Sequence, residues 1–179
     1  MMKLSGEAKS SEYSIEELSP SIANRFWDGT IKAISIAIMA MSGVMLLYFR
    51  KLVPAIGIII AGISNIVNTL AVLTLLGINL SSSGIAAILM LLGYSIDSNI
   101  VLTARAIKNK HQKLDERIYS AFETGMTMTL TSIVALTILY LTSSAEILKI
   151  ISVTLIIGLL FDIVNTWIQN AGILRYTLK

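Results

Sequence analysis

Charged residues along this chain fence off long apolar runs. The stretch from Ala33 to Phe49 is uncharged and lies between Lys32 and Arg50. At 1.5 Å per residue it makes about 25 Å of helix, which crosses a hydrocarbon core when Lys32 snorkels. The next uncharged run, Leu52 to Ile96, is about twice one span, and the turn-forming stretch Gly77-Ile78-Asn79-Leu80-Ser81-Ser82-Ser83-Gly84 breaks it in two. Thr124 to Ala145 and Ile150 to Leu174 supply two more runs, the last interrupted only by Asp162. The pattern predicts an all-α membrane protein with five transmembrane helices at about 31–49, 52–76, 84–104, 124–142 and 148–170, inside a helical domain covering 30–177.

Ahead of these spans, residues 1–18 read as a polar external tail, too short to fold alone and disordered. Residues 19–29 read as a short interfacial helix. Ser19 caps it, Pro20 suits its first turn, and Ile22, Phe26 and Trp27 lie at headgroup level. The region has no apolar signal-peptide core.

Composition supports the same class. The 179 residues are 55% hydrophobic and only 14% charged, with mean hydropathy +0.77; ordinary soluble domains carry about 25% charge. With no cysteine, disulfides, thiolate metal sites and a cysteine nucleophile are excluded, and the single histidine, His111, leaves little for a histidine triad or zinc cluster. No metal, cofactor, enzymatic activity or nucleic-acid partner is expected. The net charge of +3 matters less than its placement. Arg50 and Lys51 join the first two spans, Arg105 to Arg117 joins the third and fourth, and Arg175 and Lys179 follow the fifth. The excess of positive charge in these regions predicts that they are cytoplasmic, with the amino terminus outside and the carboxyl terminus inside.

Polar residues at membrane depth carry the candidate chemistry. An aspartate at a helix centre costs about 2.5–3.5 kcal/mol on insertion scales, so Asp97 and Asp162 need a reason. Asp97 lies about 18 Å from the outer end of its span, Asp162 about 22 Å, and Asn65 about 20 Å up from the inside of an oppositely directed helix. The three are expected to share one layer. On the fourth span Thr124, Thr127 and Thr131 recur on one face, with Thr129 and Ser132 on another. These hydroxyls either bond their own helix carbonyls or line a polar path. Gly57 with Ala61 forms a small-xxx-small pair suited to close helix packing. For Asp97 and Asp162 the alternatives are a hydrogen-bonded packing residue and a titrating group on a proton or ion path. No cation lies at their depth, since Arg105 is about 12 Å further along the helix, which implies protonation or a counter-charge from a partner subunit.

Specific stretches carry a family resemblance. Gly93-Tyr94-Ser95-Ile96-Asp97-Ser98-Asn99 through Arg105 resembles the fourth-helix signature of archaeal-type SecF, of the SecD/SecF protein-export family in the resistance-nodulation-division superfamily. Ser19-Pro20-Ser21 to Phe26-Trp27 resembles the family's approach to its second helix, and Tyr48 to Pro54 the turn between helices two and three. Asp162-Ile163-Val164-Asn165-Thr166-Trp167 through Arg175 resembles the end of the sixth. The resemblance implies that the five spans match helices two to six of a six-helix unit. It also implies that the first helix and an external domain, which the family places ahead of helix two, are lacking here.

By this resemblance the expected role is an accessory subunit of Sec protein export. It would pair with a SecD-like subunit, meet the Sec translocon and transient exported polypeptides in the lipid of the cell membrane, and couple to the proton motive force. Asp97 matches the motif aspartate implicated in coupling, and Asp162 is the second candidate. Asn65, Tyr94, Ser95, Asn99, Thr127, Thr131 and Asn165 form the supporting polar set. Gly93 is the motif glycine, and Arg50, Lys51 and Arg105 are cytoplasmic anchors. The family pattern leads one to expect an aspartate at the position of Asn65 and a basic residue near Glu123 and Thr124. A stand-alone small transporter or channel is the alternative function. An intramembrane aspartyl protease is disfavoured because Asp162 follows Leu160-Phe161 rather than a Gly-x-Gly pattern.

Overall fold

The computed structural model describes residues 20–49, 52–78, 81–108 and 113–178. The tail 1–18, Arg50 and Lys51 lie outside the described residues. Among those described there is no strand, and five helices are long and apolar enough to cross a membrane. In chain order these are α1 (Pro20–Phe49), α2 (Leu52–Leu75), α3 (Ser82–Lys108), α4 (Leu114–Thr142) and α5 (Glu146–Val164). The last runs on through a π-helical segment, Asn165–Asn170, into α6 (Ala171–Thr177).

The chain divides into two units, Met1–Ala33 and Ile34–Lys179. In the first, the opening of α1 has Thr30 Oγ1 donating to the Phe26 carbonyl at 2.8 Å, and Phe26 and Trp27 meet edge to face. α1 is continuous from Pro20, so no break separates the expected interfacial segment from the first span.

The second unit holds the bundle. α5 packs against α2, α3 and α4, and α3 against α4. Four apolar clusters fill the contacts. Met45 of α1 meets Ala55 and Ile58 of α2, and Ile66 of α2 meets Ile88 and Leu92 of α3. Ala87 and Leu91 of α3 meet Leu155 and Leu159 of α5, while Leu102, Ile118, Ala121 and Leu174 close the end that carries α6. Lipid tails are as apolar as leucine, so burial of this kind does not by itself drive helices together in a bilayer. Close backbone approach and polar contacts must add to it. Gly158 of α5 lies against the side chain of Leu91, and Gly125 of α4 lies under the indole of Trp167. At Gly57 a β-carbon would come within 2.7 Å of Asn170 Oδ1.

α4 begins at Leu114, well ahead of the apolar run that opens at Thr124. Its 29 residues make about 44 Å of helix, longer than a hydrocarbon core of about 30 Å, so its charged first turns extend beyond the span. That extension is braced on α3. Arg105 donates to the carbonyl and hydroxyl of Ser120, and Arg117 donates to the Ala106 carbonyl. An exposed ion pair, Arg175 to Asp115 at 3.2 Å, joins α6 to the same region.

Replacing Gly158 by leucine should lower unfolding stability in detergent by about 1–3 kcal/mol through overpacking against the fully buried Leu91. Gly93→Ala, where nothing lies within 4 Å of the added carbon, should be close to neutral. Equal melting shifts for the two variants would contradict this packing.

Candidate functional site

Two polar sites form at similar height on different faces of α3. The inner one centres on Asp162, which is 1% exposed. Asn65 Nδ2 of α2 donates to Asp162 Oδ1 at 3.3 Å, and Thr166 Oγ1, in the π-helical segment, donates to the same oxygen at 3.3 Å. Ser95 and Ser98 of α3 are buried on the side of α3 that faces this carboxyl, and Ser98 Oγ donates to the Tyr94 carbonyl at 3.2 Å. Asn65 and Asp162 therefore do share a layer, as their depths predict.

The network continues toward α6. Asn99 Nδ2 donates to the Ser95 carbonyl at 2.7 Å, and Asn99 Oδ1 accepts from Asn170 Nδ2. Asn165 Oδ1 accepts from Ser64 at 3.4 Å. Among the described residues, Asn65 Oδ1, Asn165 Nδ2 and Asn170 Oδ1 are buried without a partner.

The π-helical segment explains how α5 presents so many polar groups to one side. In an α-helix a residue five positions on lies about 140° around the axis. Pairing i to i+5 brings residues five apart nearly into line. Asn165 and Asn170 are both buried, and Asn170 faces Asn99 on the side where Asp162 meets α3. Gly57 supplies the room on α2, since a side chain there would strike Asn170.

Asp97 lies on another face of α3 from the inner site. Ser95 and Asn99 lie about 160–200° around α3 from it. With these two turned inward, the Asp97 side chain is exposed and makes no hydrogen bond or ion pair among the described residues. It opens into a cleft of about 220 Å³ between α3 and α4, bordered by Tyr94, Ser98, Thr129, Thr131 and Ser132, with Leu159 at its floor. Depth along a helix sets the height of a residue but not the direction it faces, and this separates Asp97 from Asn65 and Asp162. An aspartyl dyad is also absent, because Asp97 is not a partner of Asp162.

The remaining expected residues divide between these sites and the surface. Tyr94 and Thr131 border the cleft. Ser95, Asn99 and Asn165 join the inner network. Thr127 is exposed, bonds the Glu123 carbonyl at 2.8 Å and reaches neither site. The other hydroxyls of α4 likewise bond the carbonyl one turn back: Thr124, Thr129, Thr131 and Ser132 all do so, even where they also face the cleft. Gly93 is exposed with nothing close to it. Arg105 braces the α3–α4 joint through Ser120. Ser98, Thr166 and Asn170 belong to the sites without having been singled out from sequence. The signal for Asn170 was its four-residue spacing from Thr166, itself four residues on from Asp162, which keeps residues on one side of a helix.

The bundle and its buried carboxyl define a multi-pass α-helical membrane protein organised around intramembrane polar residues. Residues 2–179 match the family described as protein export membrane protein SecD/SecF, C-terminal, and the chain belongs to that family. The chain is 44% identical over 169 residues to the protein-export membrane protein SecF of Methanocaldococcus jannaschii, covering 92% of this chain and 60% of that protein. It is 46% identical over 146 residues to the SecF of Thermococcus gammatolerans, covering 82% and 46%, and 41% identical over 158 residues to that of Pyrococcus furiosus, covering 88% and 53%. The chain thus spans about half to three-fifths of the length of these relatives.

The Asn99–Asn170 bond is expected to couple α3 to α5 by about 0.6–1.7 kcal/mol, the range measured for hydrogen bonds between helices in membranes. A double-mutant cycle with Asn99→Ala and Asn170→Ala, read by unfolding in detergent, measures it. Strict additivity would show that the two amides are not coupled.

Proposed function

We propose that this chain is an accessory subunit of Sec protein export, working beside a SecD-like subunit at the translocon and assisting exported polypeptides across the cell membrane. The observation that carries this reading is the outward placement of Asp97. A carboxyl on an exposed helix face at membrane depth is costly to leave in lipid. On α3 it shares that face with Ala86, Met90 and Gly93, all exposed. Small residues with a polar group form the kind of surface on which a second transmembrane helix packs closely and satisfies the carboxyl. The partner's helix is proposed to lie along this face and over the cleft.

Family membership and the identity to three SecF proteins support the export role. Moving one charge across 100 mV is worth about 2.3 kcal/mol, so a carboxyl that gains and loses a proton between two subunits is a sound device for coupling to the proton motive force. The proposed orientation puts the amino terminus outside and the carboxyl terminus, after Arg175, in the cytoplasm.

Asp97→Asn should leave the protein in the membrane and lower export, seen as accumulation of unprocessed precursors in cells. In the same cells a single cysteine at Thr177 should react with impermeant maleimide only after the membrane is opened. Wild-type export in the Asp97→Asn strain would overturn the coupling role, and labelling of intact cells would overturn the orientation.

A further inference from the structure

The outward face of α2 carries an apolar seam left uncovered by the other described helices. Ile56, Ile60, Ile63 and Val67 follow one another in steps of four and three, the spacing of a coiled-coil seam, and each is about half exposed. Between them the surface is hollow. Ile60, Ile63, Ser64 and Val67 line a groove of about 290 Å³, with Asn68 at its edge. Residues at i, i+3, i+4 and i+7 make the four-cornered hole that receives a side chain of a second, nearly aligned helix. The groove therefore has the shape of a helix-packing site.

Asn68 decides which helix fits it. It stands seven residues before the end of α2 at Leu75, about 10 Å in along a helix of 24 residues, and so lies within a hydrocarbon core of about 30 Å. A primary amide brings two donors and a carbonyl acceptor. Asn68 Nδ2 makes one long bond, 3.4 Å to Ser64 Oγ, and among the described residues its Oδ1 meets no donor. Thr74, also exposed on α2, differs in that its hydroxyl is already bonded to the Leu70 carbonyl of its own helix.

Two copies of one chain enter the membrane in the same direction. Their α2 helices then run parallel, and Asn68 lies at the same height in both. An amide is complementary to itself: across a two-fold axis along the membrane normal, each Nδ2 donates to the other copy's Oδ1. A carboxylate is not, because two of them repel. Asp97 thus calls for a partner of different chemistry, whereas Asn68 is answered by a second Asn68.

We infer that α2 is a self-association surface, on which two copies of this chain pack in parallel along Ile56, Ile60, Ile63 and Val67. Each copy fills the other's groove, and a reciprocal Asn68–Asn68 amide pair joins them. The contact uses none of the residues on the Asp97 face of α3, and it forms whether or not the chain works in export.

The test uses single cysteines in vesicles that contain only this protein, whose chain has no cysteine of its own. One at Val67 should give a disulfide-linked dimer, whereas one at Leu130, similarly exposed on α4, should stay monomeric. Energy transfer between donor-labelled and acceptor-labelled copies, read over a series of protein-to-lipid ratios, should show Asn68→Leu weakening the dimer roughly 10-fold. Asn68→Gln, which keeps the amide, should weaken it less. Equal melting temperatures of these variants in dilute detergent would separate loss of pairing from loss of fold. Equal cross-linking at positions 67 and 130, undiminished pairing in Asn68→Leu, or capture at position 67 in native membranes of a polypeptide other than a second copy would overturn the inference. The cysteine readings decide the matter even where Asn68→Leu does not fold.

Discussion

Hydrocarbon offers no hydrogen bonds, and that constraint orders this structure. Every polar group carried to membrane depth must find its partner inside the protein or at another polypeptide. Helix packing here follows the inward polar groups as much as the apolar ones. Asn65 meets Asp162, Asn99 meets Asn170, and Ser64 meets Asn165, so α2, α3 and α5 are held in one register by side-chain bonds. Those bonds need the helices close together. Gly57 beside Asn170 and Gly158 beside Leu91 supply the clearance, which connects small residues in the sequence to the geometry of the polar core.

The π-helical segment is where backbone and polar core depend on each other most closely. An α-helical Asn165–Asn170 stretch would set Asn165 and Asn170 about 140° apart around the axis. The wider winding keeps both inward, with Thr166 beside Asp162. Such segments cluster at functional sites, and this one carries the residues that tie the last helix to the rest of the bundle. Asp97 answers the same constraint differently. It faces away from these partners into the α3–α4 cleft, beside hydroxyls that are already engaged with their own helix. The protein therefore keeps one carboxyl for its own assembly and presents the other outward, an arrangement suited to a family whose members work in protein export.

Much of this was legible in one dimension. Uncharged runs gave the five spans, because crossing a bilayer demands length and apolarity that few other structures show. Depth along each run placed Asn65 level with Asp162. Direction was not legible, because height within a span says nothing of which face meets a neighbour. Asp97 therefore faces away from Asn65 and Asp162 although it shares their height, and Thr127 follows the self-bonding alternative, donating to the Glu123 carbonyl on the exposed face of α4. Charge marks the membrane boundary and not the helix boundary, so α4 begins at Leu114, ahead of the uncharged run, and its first turns are braced by Arg105 and Arg117. The π-winding left no propensity signal, although the four-residue steps from Asp162 to Thr166 to Asn170 mark one side of the helix.

The central claim is that α3 presents Asp97 to another polypeptide while Asp162 is satisfied within the chain. The chain has no cysteine, so a single one can be placed at Met90, two turns from Asp97 on the same exposed face, and compared with one at Val134 on the outer face of α4. Thiol cross-linking in native membranes should join position 90 to a SecD-type polypeptide far more strongly than position 134. Absence of any cross-linked partner at position 90, with both variants inserted normally, would contradict it.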